Sequence, residues 1–358
     1  MTTNLIHPIV SEDLAAITKA DIPWSVFKGK TILVTGASGF LPAYMVETLL
    51  FLNTSMSLQC KVIGLVRNME KARERFSPYD HRSDLVLVKG DVSTEINWPE
   101  RCDFIIHAAS QASPKFYGTD PVGTMTANLL GTYNLLNHAR VWKSEGFLYF
   151  SSGEVYGQVL PEKIPTAESD YGYIDITDPR SCYAESKRAA ETLGVSFARQ
   201  FGVPFRIVRP FHTYGPGMAL DDGRVFADFV RDVVRHKNLI IHSDGKAVRA
   251  FCYLSDAVTG FFTVLLKGKQ ATAYNVGNSA GVISIGELAD MLIGLFPEYG
   301  LKVELSSQQL SDQYMPSPIS ISSPNVDRLM GLGWNPQYLP RQGFLRTINY
   351  FNTAMKIY

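Results

Sequence analysis

Short apolar runs recur along the first 210 positions, and their spacing sets the frame of the chain. Thr31-Ile-Leu-Val-Thr35, Lys61-Val-Ile-Gly-Leu-Val66 and Leu85-Val-Leu-Val-Lys89 are three of them. Asp103-Phe-Ile-Ile-His107, Phe147-Leu-Tyr-Phe-Ser151 and Phe205-Arg-Ile-Val-Arg209 are three more. Each reads as a short strand, and helical stretches such as Pro42–Leu52 fall between most of them. Apolar strands that alternate with helices predict an α/β fold with a parallel sheet covered on both faces. Before this region, residues 11–20 predict a short helix followed by Trp24 and Phe27, so residues 1–28 read as an N-terminal extension packed on the main domain. Beyond residue 211, Gly, Pro and aromatic clusters mix with apolar segments. That texture predicts a smaller lobe over 211–358, with some of its chain returning to the domain at 29–210.

Composition narrows the classes. The 358 residues are 46% hydrophobic, with 34 basic and 34 acidic side chains, so a large core is expected and a nucleic acid or an anionic membrane is not the expected partner. No apolar run reaches the roughly 18 residues of a spanning helix, and the first residues show no basic-then-apolar leader. Cys60, Cys102, Cys182 and Cys252 are too scattered for a metal site and read as reduced thiols, so a cytoplasmic protein without a bound metal is expected.

The turn after the first strand carries the first chemical signal. Gly36-Ala-Ser38-Gly39-Phe40-Leu41-Pro42 follows a strand and opens a helix. Glycines there allow a tight turn and close approach to a pyrophosphate, and the helix start offers free N–H groups. Pro42 stands where a third glycine is usual, and proline is tolerated in a first helical turn. The layout predicts a Rossmann-type, doubly wound sheet that binds NAD or NADP. At the end of the second strand, Val66-Arg67-Asn68 has no acid for the ribose hydroxyls. Arg67 suits a 2′-phosphate, which leans towards NADP, or else stacks on the adenine or faces solvent. Asp91 is placed to accept from the adenine amino group.

Tyr183 and Lys187 are the second signal. Four apart on a helix, they share one face. An ammonium beside a phenol favours the phenolate, and a phenolate is a general base for an alcohol. The expectation is that Lys187 lowers the pKa of Tyr183.

An ordered series of motifs extends this reading. It includes His107-Ala-Ala-Ser110-Gln-Ala-Ser-Pro114, Asn128-Leu-Leu-Gly-Thr-Tyr-Asn-Leu-Leu136 and Ser151-Ser-Gly-Glu-Val-Tyr-Gly157. Pro179-Arg-Ser-Cys-Tyr-Ala-Glu-Ser-Lys187, Gly215-Pro-Gly-Met218 and Arg249-Ala-Phe-Cys-Tyr-Leu-Ser-Asp256 continue it. Asn275-Val-Gly-Asn278 and Leu332-Gly-Trp-Asn-Pro336 complete it. From about Lys28 to the C-terminus the chain resembles the extended short-chain dehydrogenase/reductases that modify nucleotide sugars, and among them most closely the UDP-glucuronate decarboxylases. The resemblance implies a C-terminal nucleotide-sugar-binding lobe and a cofactor recycled in each turnover. It also implies a homodimer through a helix bundle containing the Tyr–Lys helix. Besides the residues already named, it implies cofactor contacts from Asn68, Val92, Ala108, Ala109, Ser110 and Pro210.

The implied chemistry starts at C4 of the sugar. Tyr183 takes the hydroxyl proton, Ser152 holds the oxygen, Lys187 supports the tyrosine, and Glu154 acts near C5 and C6. Arg249 is implied beside the diphosphate and the uronate, Arg224 beside the phosphates, Tyr117 along the sugar, and His212 where the family has a phosphate-binding asparagine. Gly153 departs from the pattern: 4,6-dehydratases have an aspartate there and decarboxylases a serine. The family's basic segment before Leu-Gly-Trp is also lost, since this chain reads Ser317-Pro-Ile-Ser-Ile-Ser-Ser-Pro324. Decarboxylation of a UDP-uronate is the first expectation. A 4,6-dehydratase or 4-epimerase is the alternative, and a non-catalytic cofactor-binding relative is a third.

Overall fold

The structure is a computed structural model that describes residues 6–96, 98, 100–306 and 319–355. In chain order the first elements are α1 (Pro8–Thr18), β1 (Thr31–Thr35), α2 (Phe40–Met56), β2 (Lys61–Val66), α3 (Met69–Arg75), β3 (Leu85–Lys89) and β4 (Phe104–His107). They are followed by α4 (Lys115–Thr119), α5 (Pro121–Trp142), β5 (Gly146–Phe150), α6 (Cys182–Phe201) and β6 (Phe205–Pro210). The later elements are β7 (His212–Tyr214), α7 (Val225–Val234), β8 (Leu239–Ile241), β9 (Val248–Tyr253), α8 (Leu254–Lys267) and β10 (Ala273–Val276). The chain ends with β11 (Val282–Ser284), α9 (Ile285–Ile293), β12 (Val303–Leu305), β13 (Ile321–Ser322), α10 (Asp327–Met330) and α11 (Pro340–Met355).

Seven strands form the main sheet in the order β10-β6-β5-β4-β1-β2-β3, all parallel. Alternate residues of β1 face opposite layers. Ile32 and Val34 pack with α1, α2 and α8, while Leu33 packs with α5 and α6. A strand buried on both faces has few positions open to water, which is why β1, β2 and β4 read as largely apolar runs. The chain order reverses between β1 and β4, and ligands of such sheets bind outside the strand ends at that point. β10 adds the seventh strand beside β6, so part of the later chain does return to the main sheet.

The second core gathers Tyr214, α7, α9 and the inner face of α11 around Phe251 and Tyr253 of β9. β9 pairs with β7 and β13 in parallel and with β11 antiparallel.

The first helix starts earlier than its apolar pattern predicts, at Pro8, because proline suits the first helical position and His7 Nδ1 accepts from Ile9 N at 3.2 Å. Asp13 of α1 is fully buried. It accepts from Tyr253 at 2.8 Å, from Tyr44 at 3.2 Å and from Arg346 of α11 at 2.8 Å. Burial raises its pKa, and the Arg346 guanidinium opposes that rise. α1 is therefore bonded to both cores.

Candidate functional site

Two loops meet where the strand order reverses. Gly36 turns at φ +65°, and a Cβ there would lie 2.9 Å from the Ala109 Cα. The first loop thus needs glycine to close against the second. Thr35 ties them together, since Ala109 N donates to its hydroxyl at 3.1 Å and His107 Nδ1 lies 2.9 Å from the same oxygen. Pro42 falls in the first turn of α2, where a backbone N–H has no helical partner to lose.

Two adjoining hollows open there, and every residue expected at the site lines one of them. The smaller, about 250 Å³, takes Ser38, Asn68, Asp91, Val92 and Ala109. The larger, about 540 Å³, takes Phe40, Leu41, Ala108 and Pro210, and runs on past Tyr183 into the second lobe. Its size lies within the range of roughly 300–1,000 Å³ usual for ligand clefts. Gly36, Gly39, Arg67 and Ser110 line both hollows. The Ser110 hydroxyl and the Gln111 side-chain oxygen are buried there without a hydrogen-bond partner among the described residues. A glycine cradle, an unpaired helix start and orphaned polar atoms together fit a dinucleotide. No group of His, Cys, Asp and Glu among the described residues could hold a metal ion.

Ser152, Tyr183 and Lys187 converge on the wall of the larger cleft. Lys187 is one helical turn beyond Tyr183 on α6, as the spacing predicts. Its pairing differs from expectation. Lys187 Nζ donates to the Phe150 carbonyl at 2.6 Å and lies 5.7 Å from the Tyr183 ring centre. Burial pushes the Tyr183 phenol up to about 12, against the pull of the Ser152 hydroxyl, and pushes Lys187 down to about 7. The expected lowering of Tyr183 by Lys187 is therefore absent in the protein by itself. A dry site penalises both charged forms, and that penalty outweighs an ammonium already bonded elsewhere.

Glu154 sits in the short 3-10 turn after β5, whose start is capped by Ser152 accepting from Glu154 N at 3.1 Å. Its carboxylate meets Arg180 at 3.2 Å. Arg180 also lies 5.9 Å from the centre of the Tyr117 ring, which stacks on Tyr183 at 5.1 Å. Sequence reasoning missed Arg180, although its place one turn before Tyr183 was a usable signal. It also missed Lys71, which lines both hollows, and Phe211. The Phe211 ring would lie 3.3 Å from a Cβ at Gly153, so a side chain there needs that ring to give way slightly.

Arg249 lines the cleft, but its guanidinium donates to the carbonyls of Val248, Ser320 and Ile319 at 2.8–3.0 Å. Arg224 bonds the Ala112 carbonyl at 2.8 Å and Asp222 at 3.0 Å. His212 Nδ1 is buried without a hydrogen-bond partner among the described residues. Burial, then the nearby Arg249 and Arg224, push its pKa well below the usual imidazole value, so the ring is neutral. Ile319 and Ser322 reach the cleft, while residues 317 and 318 of the departed segment lie outside the described residues.

Residues 32–277 match the NAD-dependent epimerase/dehydratase family. The chain belongs to that family. Its members are NAD-dependent enzymes, and this fold and cleft accord with membership. A UDP-glucuronic acid decarboxylase of Arabidopsis thaliana is 34% identical over 312 residues, 87% of this chain and 86% of that protein. Among solved structures, an epimerase of Methanothermobacter thermautotrophicus superposes with a TM-score of 0.78 at 23% identity, covering 98% of each chain. The UDP-glucuronic acid 4-epimerase of Bacillus cereus, solved with UDP-glucuronic acid and NAD, gives 0.75 at 21% identity over 90% of this chain and 99% of that one. At such identities the two structures speak for the family fold alone.

Proposed function

We propose that this protein decarboxylates a UDP-uronate after oxidising C4 of its sugar. The observation that carries the reading is Glu154, an acid held by Arg180 in the same cleft as Ser152, Tyr183 and Lys187, with glycine in place of a second acid at 153. Identity to a decarboxylase over most of both chains supports it. Tyr183 removes the C4 hydroxyl proton and Ser152 holds that oxygen. Lys187, one helical turn beyond Tyr183, would support the phenolate once the dinucleotide is bound. The dinucleotide, when bound, supplies the acceptor for the C4 hydride, gives the hydride back, and brings a positive ring that favours the phenolate. A C5 carboxylate is β to the new ketone, so its C–C bond electrons pass into the carbonyl as CO₂ leaves. The enolate that remains takes a proton at C5 through Glu154, and when C4 regains its hydride Tyr183 returns the proton to the C4 oxygen. Residues 29–210 would then hold the dinucleotide, and 211–358 most of the nucleotide sugar through Arg224, Arg249 and His212, with Tyr117 along the sugar.

Incubating the protein with UDP-glucuronate and the dinucleotide is expected to give a product lighter by one CO₂, read by mass spectrometry. An unchanged mass, or loss of one water from a neutral UDP-hexose, would sink the decarboxylase reading. The engagement of Arg249 with three carbonyls favours that second reading, 4-epimerisation or 4,6-dehydration, because a neutral sugar needs no free guanidinium.

No helix among the described residues is long and apolar enough to cross a membrane. The four cysteines are free and buried, which supports a reducing compartment such as the cytoplasm. Val122, Leu130, Tyr133 and Val141 of α5 and Phe201 of α6 are exposed on the two helices that cover one sheet face. Such a patch favours a homodimer paired through these helices. Light scattering is expected to give twice the chain mass, and Leu130→Asp with Tyr133→Asp the single mass. A wild-type protein that already runs as a monomer would end this reading.

A further inference from the structure

We propose that the dinucleotide of this protein carries a 2′-phosphate, and that Arg67 and Lys71 form the subsite for it. The inference rests on the cofactor half of the proposed function and not on the sugar chemistry. The glycine turn leans on the end of β2, since Ala37 N donates to the Leu65 carbonyl at 3.1 Å. An adenosine whose pyrophosphate sits on that turn therefore presents its ribose to residues 66–68.

What stands there decides between the two cofactors. A ribose with a free 2′-hydroxyl is held by an acceptor, usually a carboxylate. No carboxylate lies between Val66 and Met69. The Asn68 side-chain oxygen is already used, accepting from Lys71 N at 3.0 Å to cap α3. That cap fixes the turn carrying both cations. Asp91, the acid lining the smaller hollow, spends one oxygen on its own turn, accepting from Ser93 N at 2.9 Å and the Ser93 hydroxyl at 2.6 Å. Asp91 and Asp120 both feel the charge of Arg67, and Asp120 is held by Gln111 at 2.9 Å and by Gly123 N at 3.0 Å.

Arg67 and Lys71 both line the two hollows, and neither side chain has an ion-pair or hydrogen-bond partner among the described residues. Arg75, one turn further along α3, shows the contrast, because it is paired with Glu47 at 3.2 Å. A guanidinium and an ammonium have donors only and cannot accept from a hydroxyl. They suit a phosphate, which offers several acceptor oxygens and two negative charges. The end of β2 therefore lacks the carboxylate usual for NAD and presents two cations suited to NADP, with Asp91 the acid that remains in the hollow.

The test is binding, read without any sugar. The dinucleotide released from the purified protein by acid is identified by mass, and the protein freed of it is titrated calorimetrically with NADP⁺, NAD⁺, adenosine 2′,5′-bisphosphate and 5′-AMP. NADP⁺ is expected to bind about 10–100-fold more tightly than NAD⁺, the equivalent of one or two charge-assisted hydrogen bonds. The bisphosphate is expected to outbind 5′-AMP by a similar factor. Arg67→Gln and Lys71→Gln are each expected to weaken NADP⁺ about tenfold and NAD⁺ by less than about threefold. Equal or tighter binding of NAD⁺ to the wild type would overturn this inference and leave the sugar chemistry standing. Equal weakening of both dinucleotides in the variants would also overturn it. Binding of neither would take the cofactor reading down with it.

Discussion

Tyr183→Phe is expected to lower turnover of UDP-glucuronate by about 10²–10⁴-fold, the range for loss of a positioned general base. The ring should stay in place, because it stacks on Tyr117 at 5.1 Å with the planes 18° apart. Only the hydroxyl beside Ser152 is lost. Nothing nearby can substitute, since Lys187 is bonded to the Phe150 carbonyl and Glu154 to Arg180. KM should therefore change by less than about threefold while kcat collapses, the pattern of an interaction made in the transition state. Burial holds the phenol up near 12, so little phenolate is present at neutral pH. Wild-type kcat/KM should then rise with pH through the neutral range, and that rise should vanish in the variant. Steady-state kinetics across pH, with a melting curve to verify folding, decides the matter. A loss of less than about tenfold would remove Tyr183 from the role.

The second large effect lies just behind the cleft. Arg209 is 1% exposed and grips Glu191 with two bonds, at 2.9 and 2.6 Å. It also donates to Tyr156 at 2.9 Å, the Glu168 carbonyl at 3.0 Å and Tyr171 at 3.1 Å. Glu191 in turn accepts from Ser151, the residue that leads into the Ser152–Glu154 turn. Arg209→Met strands a buried carboxylate and should cost about 3–5 kcal/mol, a large share of the roughly 5–15 kcal/mol that holds a domain folded. Arg209→Met with Glu191→Met removes both charges and should recover much of that loss. Urea unfolding of the two variants measures both. A single variant within about 1 kcal/mol of wild type would show that the pair carries little.

The sheet was legible because a parallel strand buried on both faces is written as an unbroken apolar run. β1, β2 and the half-buried edge strand β3 match those runs in full, β4 and β6 differ by one residue at one end, and β5 is shifted by one residue. The second lobe was not legible in this way. β9 takes partners from β7, β11 and β13, strands of two or three residues separated by long stretches of chain. A strand that short carries no period. At the site, motifs foretold which residues line the cleft, but not what holds them. The Arg249 guanidinium ends on carbonyls some 70 residues away, and Lys187 on a carbonyl of β5. Backbone acceptors leave no mark in a sequence. The pKa of Tyr183 failed for a related reason, because its sign depends on how dry the fold makes the site, while a spacing of four shows only that two groups are near.

The bond between Asp13 and Arg346 joins residues 333 positions apart. Closing so long a loop has an entropic cost that grows only slowly with length, so the contact is stable once the intervening chain has folded. Before that point it has nothing to rest on, because Tyr44 and Tyr253, which also bond Asp13, belong to different cores. A contact that needs both cores in place is expected to form late in folding, so Asp13→Asn should speed unfolding more than it slows folding, as stopped-flow kinetics would read. The energy of that contact then slows the departure of α1 and α11 from the native state rather than hastening their arrival, and α1 acts as a kinetic latch on the finished protein.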